Sequence, residues 1–132
     1  MINLRETEIR NESLEIVVET YRVANLITDS SKQSLRTQLV DCAFMVSSSI
    51  AKAFIALQND DFEADLAQAL AGIDILLEYL HQIESEKLLD LGECQPLRII
   101  LGSEKQELQQ LLAASQTNNA YTLSPKLEKA CI

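Results

Sequence analysis

Hydrophobic residues recur along this chain at the three- and four-residue spacing of one face of an α-helix. The most regular run lies in residues 61–83, where steps of four and three alternate as in a heptad seam. Its apolar positions are Phe62, Leu66, Ala69, Ile73, Leu76, Leu80 and Ile83. This spacing predicts a helix whose buried face suits the shallow crossing angles of a helix bundle.

A second run predicts a helix that starts at the capping-box pattern Ser30-x-x-Gln33. Its main apolar stripe is Leu35, Leu39, Cys42, Ala43, Val46, Ile50, Ala53 and Leu57. Another capping-box pattern, Asp60-x-x-Glu63, then marks the start of the helix described above. The connection between these two helices is therefore predicted to be short.

The first and last helices are less sharply marked. The first runs from about residue 7 to residue 28, and most of its circumference is apolar, which is typical of a helix buried on more than one side. Its predicted core face is Leu14, Val17, Tyr21, Ala24 and Thr28. The last helix is predicted to start near Pro96, to kink or restart at Gly102-Ser103 and to end at about residue 114. Its stripe is Leu97, Leu101, Leu108, Leu111 and Leu112.

The predicted fold is an all-α, antiparallel, up-and-down four-helix bundle over residues 1–115, because short connections join long helices. Residues 116–132 are polar, lack helical periodicity and are predicted to form a flexible C-terminal tail. The composition agrees: of 132 residues 47% are hydrophobic, while there are only three Gly and two Pro. A length of this order is typical of one domain with a sizeable core.

Cysteine usage and hydropathy bear on localisation. The three cysteines are odd in number and show no metal-ligand spacing, which favours a reducing compartment. The N-terminal residues lack the apolar run of a signal peptide, and no long uncharged apolar stretch predicts a membrane span. We therefore expect a soluble, cytoplasmic protein that does not enter a membrane.

The outward faces of the second and third helices are more apolar than a solvated surface requires. Their outward positions are Val40, Phe44, Ser48, Ala51, Ile55, Ala64, Ala71 and Ile75. Contiguous exposed apolar residues mark interfaces, so these residues are predicted to form a homo-oligomer interface. The alternative is a loosely packed monomer whose outward alanines are there because alanine favours helix.

The net charge of −9 disfavours general affinity for nucleic acid. Three cations, Lys32, Arg36 and Lys52, lie in one segment that holds a single acid, and they are the candidate contacts to an anionic partner. Solubilising charges on a helix surface are the alternative interpretation.

No catalytic residues, cofactor or metal site are predicted. The Glu78-x-x-His81 pair has the spacing of one half of a di-iron motif, but the chain has a single His and both residues turn away from the predicted core. Glu12, Glu15 and Glu19 are interpreted as a solvated acidic face of the first helix.

The segments QLVDCAFMVSSSIAKAF (38–54) and DFEADLAQALAGIDILLEYL (61–80) resemble the four-helix-bundle family of ribosomal-RNA intervening-sequence proteins. This family includes the accessory variability determinant of diversity-generating retroelements. The apolar frame of its motifs is kept, whereas Val40 and Asp41 occupy two positions that are basic in the family and Ile75 occupies one that is glutamate. The resemblance implies a ring-like homo-oligomer, typically a pentamer, without catalytic residues. Retroelement members of the family bind a reverse transcriptase and nucleic acid, and the resemblance implies such partners for this chain.

The function predicted from the sequence is that of a non-enzymatic oligomeric accessory or scaffold protein. It would bind a protein partner, the resemblance implying a reverse transcriptase, with or without nucleic acid. The alternative is an acidic adaptor for protein–protein interaction that has no nucleic-acid role.

Overall fold

The computed structural model describes residues 4–55 and 61–121, with side chains described as far as residue 116. Four helices account for nearly all of this: α1 (Leu4–Leu26), α2 (Gln33–Ile55), α3 (Asp61–Ser85) and α4 (Leu91–Tyr121). A single 3-10 turn, Ser30–Lys32, precedes α2. The described residues contain no strand, which confirms the all-α prediction for them.

Each helix packs against two neighbours, so that α1 and α3 both contact α2 and α4. Polar contacts between α1 and α4 show the direction of these two helices. Arg5 at the start of α1 donates to the carbonyl of Glu107 in the second half of α4, and Arg22 near the end of α1 donates to the carbonyl of Glu93 at the start of α4. Lys32, just before the start of α2, pairs with Glu86, just after the end of α3. Helices α1 and α4 are therefore antiparallel, and so are α2 and α3.

The core faces of α2 and α3 are the predicted ones. In α3 all seven residues of the predicted stripe are buried, and in α2 six of its members are buried: Leu35, Leu39, Ala43, Val46, Ile50 and Ala53. Cys42 is half-buried at the edge of this stripe, and Leu57 lies outside the described residues. Ser49, next to Ile50 in α2, is also buried.

The core face of α1 differs from the predicted one. The buried residues of α1 are Ile9, Ser13, Ile16, Thr20, Val23 and Ala24, and Ile27 is buried just after the helix. Of the predicted face, Ala24 is buried as predicted and Val17 is half-buried against the core, whereas Leu14 and Tyr21 are exposed by 58% and 44%. Thr28 is exposed and lies beyond the end of the helix. The prediction was wrong for these last three residues because a helix that is apolar on most sides carries little periodic signal. The small Ser13 and Thr20 side chains face inward instead, where the neighbouring helices approach.

The starts of α2 and α4 also differ from the prediction. Asp29, one residue before the predicted cap, accepts hydrogen bonds from the backbone N and Oγ of Ser31 at 2.9 and 2.7 Å. Helix α4 begins at Leu91 rather than near Pro96, because Asp90 and Glu93 form a reciprocal capping box with N···O distances of 3.0 and 2.8 Å.

Helix α4 is also longer and more continuous than predicted. It passes through Gly102 and Ser103 without interruption and ends at Tyr121, so the backbone of residues 116–121 is helical where a tail is predicted. Residues 122–132 lie outside the described part of the chain, as does Asp60, the first residue of the capping box predicted before α3.

Among the described residues, one helical stretch is long and apolar enough to cross a membrane, Ser30–Ile55. Length and composition therefore do not support the expectation that no segment could span a bilayer. The buried residues of this stretch contact α1 and α3, however, and the central helix of a water-soluble bundle has the same composition.

Candidate functional site

Two features of the surface and core bear on function, and the first is an apolar surface shared by α1 and α2. The rings of Tyr21 and Phe44 pack edge to face, with centroids 6.0 Å apart and an interplanar angle of 85°. Both remain substantially exposed, Tyr21 by 44% and Phe44 by 49%. An aromatic pair that is in contact and yet half open to solvent is an incomplete cluster, since further burial would stabilise it.

The apolar positions on either side of this pair repeat with helical spacing. On α1, Leu14 and Val18 precede Tyr21 by steps of four and three, and they are exposed by 58% and 65%. On α2 the outward positions Phe44, Ser48, Ala51 and Ile55 follow steps of four, three and four. These seven residues, Leu14, Val18, Tyr21, Phe44, Ser48, Ala51 and Ile55, are named the α1–α2 apolar surface below. Steps of four and three are the spacing with which one helix receives another.

The eight predicted interface residues do not share one surface. Phe44, Ser48, Ile55, Ala64, Ala71 and Ile75 are exposed, Ala51 is half-buried, and Val40 is half-buried against the core. Phe44 turns toward α1, while Cys42 on the other flank of α2 faces α3 and its Sγ lies 3.4 Å from the carbonyl oxygen of Gly72. Phe44 therefore lies on the side of α2 that contacts α1, whereas Ile75 belongs to α3, which contacts the other side of α2.

Sequence reasoning missed the contribution of α1 to this surface. From the sequence, Leu14 and Tyr21 are predicted in the core, and no prediction is made for Val18. The available signal was an excess: α1 carries more large apolar residues than one core face can bury, so some of them must point outward.

Two of the three cations predicted to meet an anionic partner are engaged within the chain. Lys32 Nζ lies 2.9 Å from Glu86 Oε1, and this contact raises the pKa of Lys32 and lowers that of Glu86. Arg36 donates to the backbone carbonyl oxygens of Ile27 and Asp29 at 2.9 and 2.8 Å. Arg36 thus bonds across the α1–α2 connection and Lys32 joins that connection to the end of α3, whereas Lys52 is exposed in the last turn of α2.

The second feature is an acidic cluster between α1 and α4, formed by Glu12, Glu104 and Glu107. Carboxylate oxygens of the three residues lie within 4.8 Å of one another. Glu104 is 0% exposed, although Glu12 and Glu107 are only half-buried. Ser103 Oγ donates to Glu12 Oε2 at 3.0 Å, which holds one oxygen of Glu12 in place.

Burial and like charge act together on these carboxyl groups. Burial, followed by the nearby Glu12, raises the pKa of Glu104 to about 10. Burial also raises the pKa of Glu107, and Glu12 adds to that effect. Hydrogen bonding to Glu12 also contributes to the raised pKa of Glu104 and of Glu107, while in the described residues no donor from outside the cluster reaches either oxygen of Glu104 or Oε1 of Glu12.

The interpretation of Glu12, Glu15 and Glu19 as a solvated face was therefore wrong for Glu12, which lies beside Glu104 between α1 and α4. Glu15 is exposed, and Glu19 forms a partly exposed ion pair with Arg22 at an N···O distance of 2.8 Å. The sequence did hold a signal for the acidic cluster. Glu104 stands between Leu101 and Leu108 at steps of three and four, which places a carboxylate in the apolar seam of α4.

No known protein family, curated protein or solved structure matches this chain. The sequence resemblance to the intervening-sequence family is accordingly an expectation that these comparisons leave untested. The function has to be argued from the two features described above.

Other side chains that could bind a metal or react are placed less favourably for either role. Glu78 and His81 are both exposed on α3. Burial raises the pKa of the Cys42 thiol and is also the main cause of the raised pKa of Cys94, so both thiols stay protonated at neutral pH. Cys131 lies outside the described residues.

Proposed function

We propose that this chain is a non-catalytic helical scaffold that self-associates through the α1–α2 apolar surface and presents the assembled surface to a protein partner. The observation that carries the proposal is the half-exposed contact between Tyr21 and Phe44 within two outward-facing apolar stripes. Burying such a surface against a second copy would remove several large side chains from water, each worth about 1.5–3 kcal/mol when fully buried.

A second copy of the chain is the proposed occupant because it supplies what the surface needs. The spacing of both stripes is that of a helix-packing seam, and the chain's own α1 and α2 expose such seams. A symmetric dimer would pair each surface with itself, and a ring would pair it with a different surface such as the one that holds Ile75. The sequence resemblance favours the ring, and a pentamer is the size that we propose.

The engagement of Lys32 and Arg36 favours a protein over a nucleic acid as the external partner. A stable contact to nucleic acid neutralises several phosphates, and these two cations already make contacts within the chain, Lys32 to Glu86 and Arg36 to the carbonyl oxygen of Ile27. The acidic surplus of the chain points the same way. We therefore place the adaptor without a nucleic-acid role ahead of a nucleic-acid-binding accessory protein, and keep a reverse transcriptase as the partner implied by the resemblance.

The test is the absolute mass of the purified protein, measured by light scattering on a sizing column at several protein concentrations. A mass of several chains supports self-association, and a mass near five chains supports the ring. A mass of one chain at every concentration would overturn the proposed self-association.

The nucleic-acid question has its own test. Retention of RNA or DNA in low salt, with binding that weakens steeply as salt rises, would reverse the order of the two alternatives. The absence of any retention in low salt would support the adaptor.

A further inference from the structure

The side chain of Glu104 occupies a position that an apolar residue would ordinarily fill. It lies in the seam of α4 between the buried Leu101 and Leu108, is 0% exposed, and in the described residues no donor from outside the acidic cluster reaches its oxygens. An ionised carboxylate in this position is strongly unfavourable, because it has lost its hydration and faces other carboxyl groups instead. Such a group needs either a proton or a cation.

The surrounding residues supply the geometry of a cation site. Glu104 and Glu107 lie one turn apart on α4, and Glu12 reaches the same point from α1. Their oxygens lie within 4.8 Å of one another. Three oxygens within that distance share a centre no more than about 2.8 Å from each of them, close to the metal–oxygen distance of roughly 2.0–2.6 Å found for Mg²⁺ and Ca²⁺. A small closing movement of the side chains therefore suffices for one ion to contact all three carboxylates.

The arrangement of Glu12 supports this interpretation independently of the number of acids. Ser103 Oγ donates to Oε2 of Glu12, while Oε1 of Glu12 is buried and receives no donor from outside the acidic cluster in the described residues. One oxygen is thus held by the protein and the other receives no such bond, and hydrogen bonds of this kind orient metal ligands in proteins.

The local charge also favours a cation. Glu8 and Glu15 on α1 add negative charge near the cluster, and Arg5 on α1 is the basic group that lies close to Glu107. Arg5 donates to the backbone carbonyl of Glu107 and to Gln110 Oε1, at 3.3 and 3.2 Å. Of the neighbours named here five are acids and Arg5 is basic, which favours a cation at the site.

We propose that Glu12, Glu104 and Glu107 bind a divalent cation that prefers oxygen ligands, of the Mg²⁺ or Mn²⁺ type, at the contact between α1 and α4. Three carboxylates without nitrogen or sulfur ligands fit this class better than Zn²⁺. The half-buried Glu12 and Glu107 leave a path by which water can complete the coordination shell. The ion links two helices, so its effect is to stabilise the fold, and the site does not depend on the proposed self-association.

The experiment uses the full chain after treatment with a chelator, with Mn²⁺ as the probe. Loss of the electron paramagnetic resonance signal of hydrated Mn²⁺ reports binding, and thermal unfolding followed by circular dichroism reports stabilisation. Both are recorded at fixed ionic strength and at one near-neutral pH. We expect saturable binding with a rise in melting temperature, and competition by Mg²⁺.

Variants separate a specific site from the general attraction of an acidic protein for cations. Glu104→Gln keeps the shape of the side chain, removes its charge, and is expected to abolish both the binding and the stabilisation. Glu78→Gln removes an exposed acid from α3 and should leave both unchanged. Glu107→Gln, at the more open edge, is expected to weaken binding at least tenfold and serves if Glu104→Gln does not fold.

Two results would overturn the proposal. One is a wild-type protein whose melting temperature is unaffected by millimolar Mn²⁺, which would assign the cluster to carboxyl groups that share a proton. The other is equal Mn²⁺ binding by the wild type and by Glu104→Gln or Glu107→Gln, which would mean that any bound ion is only attracted by the general surface charge.

Discussion

Gly72 of α3 lies directly against Val46 of α2. A Cβ atom added to Gly72 would lie 2.6 Å from Val46 Cγ2 and 2.7 Å from Cε of Met45. The Sγ of Cys42 also reaches the carbonyl oxygen of Gly72 at this point. The α2–α3 seam is therefore at its tightest here, and the absence of a side chain at Gly72 is what permits the approach.

We expect Gly72→Ala to lower the free energy of unfolding. Alanine gains roughly 0.5–1 kcal/mol over glycine in a helix, but overpacking against the buried, β-branched Val46 costs about 1–3 kcal/mol. Urea denaturation measures the difference. The matched control is Gly102→Ala on α4, where nothing lies within 4 Å of the added Cβ. That variant should gain roughly 0.5–1 kcal/mol, and a Gly72→Ala protein as stable as the control would contradict the tight seam.

The stability of the metal-free protein should fall as pH rises between about 4.5 and about 10, because of Glu104. In the unfolded chain this carboxyl group ionises near its ordinary value, whereas the folded protein keeps the proton until the raised pKa is reached. In this window the folded state binds more protons than the unfolded state, so each unit of pH destabilises the fold by up to about 1.4 kcal/mol.

Urea denaturation of the wild type and of Glu104→Gln, over a series of pH values with chelator present, tests this effect. The variant is neutral at that position throughout and should lose most of the slope. Some slope in the same direction is expected to remain, since the pKa of Glu107 is raised as well. Parallel pH profiles for the two proteins would show that Glu104 does not titrate with a displaced pKa.

The two parts of the predicted interface can be separated by substitution. Phe44→Asp adds a charge to the α1–α2 apolar surface and should dissociate a self-associated protein without loss of helical content, because the side chain is half exposed. Ile75→Asp makes the same change on α3, and Ile99→Asp makes it at an exposed apolar position of α4.

Light scattering and circular dichroism of the three variants give the outcome. A dimer through the α1–α2 apolar surface predicts that only Phe44→Asp reduces the mass. A ring that pairs this surface with α3 predicts that Ile75→Asp reduces it too. Reduction by Ile99→Asp alone would place the interface on α4 and contradict the proposal.

Arg36 is expected to matter for stability more than for binding. Its guanidinium spans the α1–α2 connection through the carbonyl oxygens of Ile27 and Asp29 and the side chain of Gln33. Arg36→Met should lower the free energy of unfolding by about 1–3 kcal/mol, since hydrogen bonds from a charged donor are lost. Lys32→Met is the control, with a smaller effect expected for an exposed, solvent-screened pair. Equal effects in urea denaturation would show that Arg36 has no special role.

The core faces of α2 and α3 could be predicted because each helix has one dominant apolar stripe. Positions such as Leu39 and Val46 in α2, or Leu66 and Ile73 in α3, recur at the helical period against a more polar remainder. That pattern is a property of the local sequence and does not depend on which helix is the neighbour. The capping box of Asp90 and Glu93 is an equally local signal for the start of α4. The sequence prediction placed the start near Pro96 instead, because proline is common in the first turn of a helix.

The amino-acid sequence by itself determined that the chain forms four helices, and which faces of α2 and α3 turn inward, because apolar periodicity and short connections are encoded residue by residue. The tertiary structure alone decided the orientation of α1, since nearly every side of that helix can be buried. Its rotation turns Leu14 and Tyr21 outward beside Phe44 and turns Glu12 toward Glu104. Both candidate sites depend on this one rotation, because each combines residues of α1 with residues of another helix. The local sequence of α1 does not show which of its residues will face that helix.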